Sequence, residues 1–286
     1  MKIIIFGGNG FIGKYLCNEF LKKKIKVTVF DKKIPKKKLT NITYIKGDIS
    51  NFSSVHNAIK GHKIIYNLAG ISDISDSIKY PFDTVKVNIL GTVNTLEASR
   101  KLNIKKYIFA SSIYVFSSQG GNYRVSKKSS ELFIQEYGNR YNLNYVILRF
   151  GSVFGIGADL RNGISKILSQ AYQTGKLRYS GTHKAVRKFI HIRDAAYLAS
   201  KVISSKYSKT SVLITGKKNI KLLDLMIYLK KKLGIKKKIV YSNKVTLGHY
   251  DINPYSYKEI PSKKINYKTK TSFKKNLDEL LIKLKK

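Results

Sequence analysis

Lys2-Ile3-Ile4-Ile5-Phe6-Gly7-Gly8-Asn9-Gly10-Phe11-Ile12-Gly13 opens the chain almost from its first residue. An unbroken apolar run leads into closely spaced glycines, and Phe11 to Lys22 then carries apolar residues at helical spacing. A buried strand, a glycine turn and a helix in that order predict a socket for a pyrophosphate. Glycine lets the backbone turn tightly and approach phosphates, while free N–H groups and the positive end of the helix attract the negative charge. The spacing fits both G-x-G-x-x-G, from Gly8, Gly10 and Gly13, and G-x-x-G-x-x-G, from Gly7, Gly10 and Gly13.

The next apolar run, Lys26–Phe30, reads as a second strand that ends at Asp31. A carboxylate there can accept hydrogen bonds from both hydroxyls of a ribose and would repel a 2′-phosphate, so NAD is favoured over NADP even with Lys32 and Lys33 adjacent. Further strand-like runs follow at Thr43–Lys46, Lys63–Leu68, Lys106–Ala110 and Tyr145–Phe150, with helical stretches between most of them. That alternation predicts an α/β fold with a doubly wound parallel sheet. Asp48 follows the third strand, within reach of the adenine end of a dinucleotide. Asn67-Leu68-Ala69-Gly70 closes the fourth strand at the edge where ligands bind in such folds.

Beyond residue 150 the pattern loosens to a helix near Gly163–Thr174, a strand near Phe189–Ile192, a helix at Asp194–Ile203, a strand at Val212–Thr215 and a helix at Leu222–Leu233. The tail from Tyr241 is polar, rich in Tyr and Lys, and ends in an amphipathic stretch, Phe273–Leu284. The organisation expected is a dinucleotide-binding unit over residues 1–150 with a return segment at about 187–215. Residues 151–186 and 216–286 would form a small substrate-binding lobe.

A length of 286 residues allows one large core, and the single cysteine, Cys17, excludes an internal disulfide. No stretch approaches the roughly 20 apolar residues of a membrane span, and Met1-Lys2 with a short apolar run is too brief for a secretory signal. A cytoplasmic protein is expected, with no metal site. The net charge of +40 invites a polyanion partner, but 48 of the 56 basic residues are Lys and they are widely spread. With abundant Ile, Asn and Tyr, this composition reads as AT-rich coding, and no specific nucleic-acid partner is expected.

Chemistry concentrates at Ser111-Ser112, directly after the fifth strand, and at Tyr123-Arg124-Val125-Ser126-Lys127. On a helix Tyr123 and Lys127 stand at i and i+4, on one face. A phenol near its ordinary pKa of about 10 is a poor base at neutral pH, and a nearby ammonium or the positive ring of NAD+ would lower it. Tyr123 could then take a proton from a sugar hydroxyl, with Ser112 orienting the oxygen. Arg187 stands out in a chain so dominated by Lys, because its planar fork suits a diphosphate. Arg149 is expected to fix the sheet edge, His191 to be a strand residue, and Asp194 to be a helix N-cap.

Taken in order, these motifs, with Gly47-Asp48, Asn88 before Gly91-Thr92, Leu148-Arg149-Phe150 and Arg187-Lys188-Phe189-Ile190-His191, resemble the extended short-chain dehydrogenase/reductases. Within these the chain looks like the NAD-dependent epimerase/dehydratases of nucleotide sugars, over roughly residues 1–235. The resemblance implies a catalytic Ser112, Tyr123 and Lys127, with bound NAD. The cofactor would be held by Gly7, Gly10, Phe11, Ile12 and Gly13, by Asp31, Asp48 and Ile49, and by Leu68, Ala69, Gly70 and Asn88. Tyr123 and Lys127 would touch it too. It also implies a substrate site of Ser72, Ser112, Ser152 and Arg187 for a nucleotide-diphosphate sugar, and a homodimer through helices including Phe82–Ser99 and Ser126–Tyr141.

Several positions depart from the family pattern. Phe6 replaces a threonine, Ser117 a glycine and Ser152 a substrate-binding asparagine, and Ser112 is only eleven residues before Tyr123. Where the family's 4,6-dehydratases carry an Asp-Glu pair, this chain has Ile113 and Tyr114, which disfavours dehydration and, equally, decarboxylation. Epimerisation at C4 through a 4-keto intermediate is preferred, with 4-ketoreduction as the alternative on the same residues. A non-catalytic NAD sensor or polyanion binder needs no such triad.

Overall fold

The computed structural model describes residues 1–242, 248–249, 251–255, 261–269 and 271–285. Parts of the expected small lobe, at 243–247, 250, 256–260, 270 and 286, lie outside the described residues. From the N-terminus, β1 (Lys2–Phe6), α1 (Phe11–Lys22), β2 (Lys26–Asp31) and β3 (Ile42–Lys46) lead through α2 (Phe52–Ile59) to β4 (Ile64–Asn67). α3 (Ile74–Lys79) and α4 (Pro81–Thr84) continue through a π-helical turn, Val85–Leu90, into α5 (Gly91–Lys101). β5 (Lys106–Ser112) and a 3₁₀ turn, Ile113–Phe116, precede α6 (Gly121–Arg140) and β6 (Tyr145–Phe150). The remainder comprises β7 (Ser152–Phe154), α7 (Gly163–Thr174), β8 (Arg178–Ser180), β9 (Val186–Arg187), β10 (Phe189–His191) and α8 (Ile192–Lys201). It ends with β11 (Thr210–Ile214), β12 (Ile220–Lys221), α9 (Leu222–Lys232), β13 (Val240–Ser242), β14 (Lys263–Lys264) and α10 (Phe273–Lys285).

Eight strands pair in parallel in the order β14-β11-β6-β5-β4-β1-β2-β3. Successive side chains of a strand point to opposite faces, so the isoleucines of β1 serve two cores. Ile3 and Ile5 pack with Leu16 and Phe20 of α1 and with Ala195 and Leu198 of α8. Ile4 and Phe6 pack on the other face with Val55 of α2 and Leu96 of α5. Covering both faces is what lets the strands be apolar throughout. The order reverses between β1 and β4, which opens a crevice at the carboxyl ends of those strands. A separate core joins Phe154 to Leu168 of α7, Met226 of α9 and Leu277 of α10.

The doubly wound sheet is the expected fold, and the differences lie at its margins. β14 pairs with β11, so the segment assigned to the small lobe returns to the edge of the main sheet at Lys263–Lys264. His191, not Asp194, is the N-cap of α8, its Nδ1 accepting from the Arg193 N–H at 3.4 Å. Burial, with the Arg193 charge beside it, pulls the His191 imidazole down to about 4, which keeps that acceptor lone pair available near neutral pH. Asp194 is buried within the first turn. Arg149 lies on β6, inside the sheet between β5 and β11, rather than at its edge. Among the described residues no helix is long and apolar enough to cross a membrane.

Candidate active site

The glycine turn is shaped by close approach. Gly7 has a φ of +73°, and a Cβ there would lie 2.7 Å from the Ala69 nitrogen at the end of β4. A Cβ on Gly13 would lie 2.6 Å from the Gly7 carbonyl oxygen, so any side chain would push α1 off the turn. No side chain caps the α1 N-terminus at Gly10, which leaves its first N–H groups turned to the crevice for an anion. Asp31 ends β2 with its carboxylate fixed, Oδ2 accepting from the Asn9 N–H at 3.1 Å and Oδ1 from the Lys33 N–H at 3.1 Å. A carboxylate so oriented keeps lone pairs for a ribose diol.

The crevice widens into a cleft of about 1610 Å³, whereas a pocket for one drug-sized ligand runs to roughly 1,000 Å³. Gly7, Gly10, Phe11, Ile12 and Gly13 form one end of its wall, with Asp31 and Ile49 beside them. Leu68, Ala69 and Gly70 lie along the middle, next to Tyr123 and Lys127. Ser72, Ser112, Ser152 and Arg187 also line it.

Two of the expected cofactor residues are not on this wall. Asp48 accepts from the Ser50 N–H and hydroxyl at 2.9 and 2.8 Å and pairs with the Lys32 ammonium at 3.0 Å, closing its own loop. Asn88 is buried. Its Oδ1 accepts from the Ile71 N–H at 2.8 Å and its Nδ2 donates to Ser126 Oγ at 2.9 Å, which ties the 70–72 loop to α6.

Tyr123 and Lys127 share the face of α6 turned to β5. Lys127 Nζ donates to the Ala110 carbonyl at 2.7 Å and stands 5.9 Å from the centre of the Tyr123 ring. Burial raises the Tyr123 phenol, and a hydrogen bond with the Ser112 hydroxyl opposes the rise. The sequence led us to expect a phenol lowered by Lys127; in the protein alone desolvation outweighs that effect.

Burial also pulls the Lys127 ammonium down to about 8, with the Glu131 charge working against the shift. A lysine in the unfolded chain titrates near 10.4. Between those values the unfolded state holds a proton that the folded state has released, so stability rises with pH from about 8 to about 10.4. Below that window the full cost of burying the charge is present. In denaturation curves wild type is expected to gain on Lys127→Met as pH climbs through the window. A stability difference independent of pH would contradict a buried, proton-releasing Lys127.

Beneath the triad lies a feature the sequence reading missed. Glu131, one helical turn beyond Lys127, accepts from the Ser111 hydroxyl at 2.5 Å and from Arg149 through both Nε, at 3.0 Å, and Nη2, at 2.6 Å. The Arg149 side chain is 0% exposed and its guanidinium lies 5.1 Å from the centre of the Phe116 ring. This bidentate pair pins α6 to the ends of β5 and β6 and so fixes Ser112 against Tyr123. The i, i+4 step from Lys127 to Glu131 was its only trace in the sequence. Arg187, for its part, is anchored by the Val186 and Ile252 carbonyls, each at 3.0 Å, and by the Tyr179 hydroxyl at 3.1 Å.

Residues 3–214 match the NAD dependent epimerase/dehydratase family. The chain belongs to that family: it is an NAD-dependent enzyme, and the cradle from Gly7 to Gly13, facing Asp31, fits the cofactor. An uncharacterized UDP-glucose epimerase, YtcB, of Bacillus subtilis is 26% identical over 275 residues, covering 86% of each chain. A UDP-N-acetyl-alpha-D-glucosaminuronate decarboxylase of Bacillus cytotoxicus is 24% identical over 290 residues, 92% of this chain and 88% of that one. Among solved structures, UDP-glucose 4-epimerase of Thermotoga maritima with UDP-glucose superposes with a TM-score of 0.84 at 20% identity, covering 100% of this chain and 99% of the other.

Proposed function

We propose that this chain is a nucleotide-sugar 4-epimerase acting on a UDP-sugar, with Ser112, Tyr123 and Lys127 as its catalytic residues. The observation that carries this reading is the half-buried Tyr123, its hydroxyl hydrogen-bonded to Ser112 and one helical turn from Lys127, in the same cleft as the glycine cradle. NAD would bind in its oxidised form and supply a positively charged ring able to accept the C4 hydride and give it back. Tyr123 takes the proton of the sugar C4 hydroxyl, Ser112 holds that oxygen by a hydrogen bond, and C4 becomes a ketone. Return of hydrogen to the opposite face of C4, with the proton handed back by Tyr123, completes the inversion. Lys127 keeps positive charge beside the phenol and grips the cofactor ribose. Arg187 binds the substrate diphosphate, its fork held in place by three oxygen partners. Asp31 binds the adenosine ribose. Asp48 and Asn88 act one layer back, holding the loops that touch the cofactor.

Epimerisation is preferred over 4-ketoreduction because the Asp31 carboxylate at the end of β2 favours NAD, whereas biosynthetic reductases commonly draw on NADPH. Ile113 and Tyr114 supply no carboxylate for dehydration or decarboxylation. Denaturing protein purified without added cofactor and identifying the released nucleotide tests this directly. Stoichiometric NAD(H) is the expected result; an empty site that fills only when reduced cofactor is added would favour the reductase.

The assembly we propose is a homodimer. Phe82 is 90% exposed at the start of α4, and Val85, Leu132 and Phe133 are also exposed on the adjoining π-helical turn and α6, which pack together. Large exposed apolar side chains on adjoining elements are what a protein interface would cover. Phe82→Asp with Leu132→Asp is expected to halve the mass measured by light scattering. An unchanged mass would move the interface elsewhere. A cytoplasmic setting agrees with the buried free thiol of Cys17.

A further inference from the structure

A second polar pair stands in the cleft, away from the glycine cradle. The Tyr114 hydroxyl lies 3.0 Å from His249 Nδ1, joining the 3₁₀ turn after Ser112 to the C-terminal tail. Tyr114 also meets the Tyr123 ring edge-on, with centroids 6.2 Å apart, and its N–H donates to Ser112 Oγ at 3.2 Å. Both Tyr114 and His249 line the cleft, and through Tyr114 the pair touches Tyr123 and Ser112.

Described residues on both sides of His249 are held by contacts with the body of the fold. Gly248 adopts a φ of +81° against Ile74 and Ile78 of α3, so close that a Cβ would lie 2.7 Å from the Ile74 side chain. Further on, the Ile252 carbonyl accepts from the Val186 N–H at 2.9 Å and from Arg187 at 3.0 Å. Tyr255 packs its ring 5.7 Å from that of Phe116. Gly248 thus touches α3, His249 and Tyr255 touch the 3₁₀ turn, and Ile252 touches Arg187. The short spacing between Ser112 and Tyr123 leaves a trimmed loop there, and Tyr114 with His249 occupies that part of the wall.

Burial pulls the His249 imidazole down, which keeps it neutral at pH 7; the Asp73 carboxylate opposes this, and Arg187 and Lys166 reinforce it. A neutral phenol and a neutral imidazole can exchange hydrogen bonds with a hydroxyl and offer no charge to a carboxylate. Of the charges acting on His249 the Asp73 carboxylate, also on the cleft wall, is the strongest and would repel one, and the Lys166 ammonium on the same wall acts more weakly. In the reading above Arg187 is committed to the substrate diphosphate.

We infer that Tyr114 and His249 form the sugar-end specificity pair, hydrogen-bonding a hydroxyl of a neutral hexosyl group and discriminating against a uronate. This rests on the nucleotide-sugar reading above. The test is calorimetric titration of the NAD-loaded protein with UDP, UDP-glucose and UDP-glucuronate, for wild type, Tyr114→Phe, His249→Gln and the double variant. Wild type is expected to prefer UDP-glucose. Each single variant is expected to weaken UDP-glucose roughly tenfold, the loss of one hydrogen bond, and the double variant little further. Affinity for UDP alone and NAD content are expected to be unchanged. A wild-type preference for UDP-glucuronate would overturn the inference, as would variants that bind both sugars like wild type. Affinity for UDP falling in step with UDP-glucose would also overturn it, because the pair would then only support the fold. If wild type bound none of the three, the nucleotide-sugar reading itself would fail.

Discussion

Turnover of a UDP-sugar is expected to fall about 10²- to 10⁴-fold in Tyr123→Phe, the range that a positioned acid–base group supplies, while the purified variant keeps its NAD. Phenylalanine preserves the ring contacts and removes only the hydroxyl bonded to Ser112. Burial raises this phenol in the protein alone, so its ability to accept a proton depends on positive charge brought beside it. Lys127 and the oxidised cofactor are the two sources. Steady-state rates together with the nucleotide content of the same preparation separate the possibilities. Lost turnover with retained NAD assigns Tyr123 to proton transfer, lost NAD makes it a cofactor-binding residue, and unchanged turnover removes it from the mechanism.

The largest effect on stability is expected from Glu131→Ala. This substitution deletes the carboxylate that takes both Nε and Nη2 of a guanidinium with no solvent exposure, and also the acceptor of the Ser111 hydroxyl. Breaking one side of such a buried pair costs about 3–5 kcal/mol, because the remaining charge is left uncompensated. Denaturant titration measures the loss directly, and a cost under about 1 kcal/mol would contradict a buried pair that pins the site. Replacing both partners, Glu131→Met with Arg149→Met, is expected to recover most of the stability. Turnover is expected to stay low in that double variant, since Ser112 and Tyr123 lose the brace that sets their spacing.

The features legible from sequence were those written in local pattern. The cradle from Gly7 to Gly13 and Asp31 at the end of β2 depend on residue type at fixed spacing, as do the strands of the doubly wound sheet. Features set by tertiary burial were not legible. The direction of the Tyr123 shift depends on how completely α6 and β5 exclude water, which no i, i+4 spacing reports. Glu131 has the spacing of any helix-surface acid, and only the packing of β6, which places Arg149 against it, gives it a role. His249 is one of five histidines, in a tail whose composition suggests only polarity, and its meeting with Tyr114 spans 135 positions. Lys263–Lys264 carries no strand signature of its own and pairs because the edge of β11 offers unpaired backbone groups.

The central claim is reversible inversion at C4 with a cofactor that never leaves. Its most direct test is to incubate the protein, as purified and without added nucleotide, with individual UDP-hexoses and follow the sugar C4 configuration by NMR. One UDP-hexose and its C4 epimer are expected to reach the same mixture from either side, with no net change in the redox state of the bound NAD. Conversion that requires stoichiometric reduced cofactor, or a product that has lost water or carbon dioxide, would contradict it.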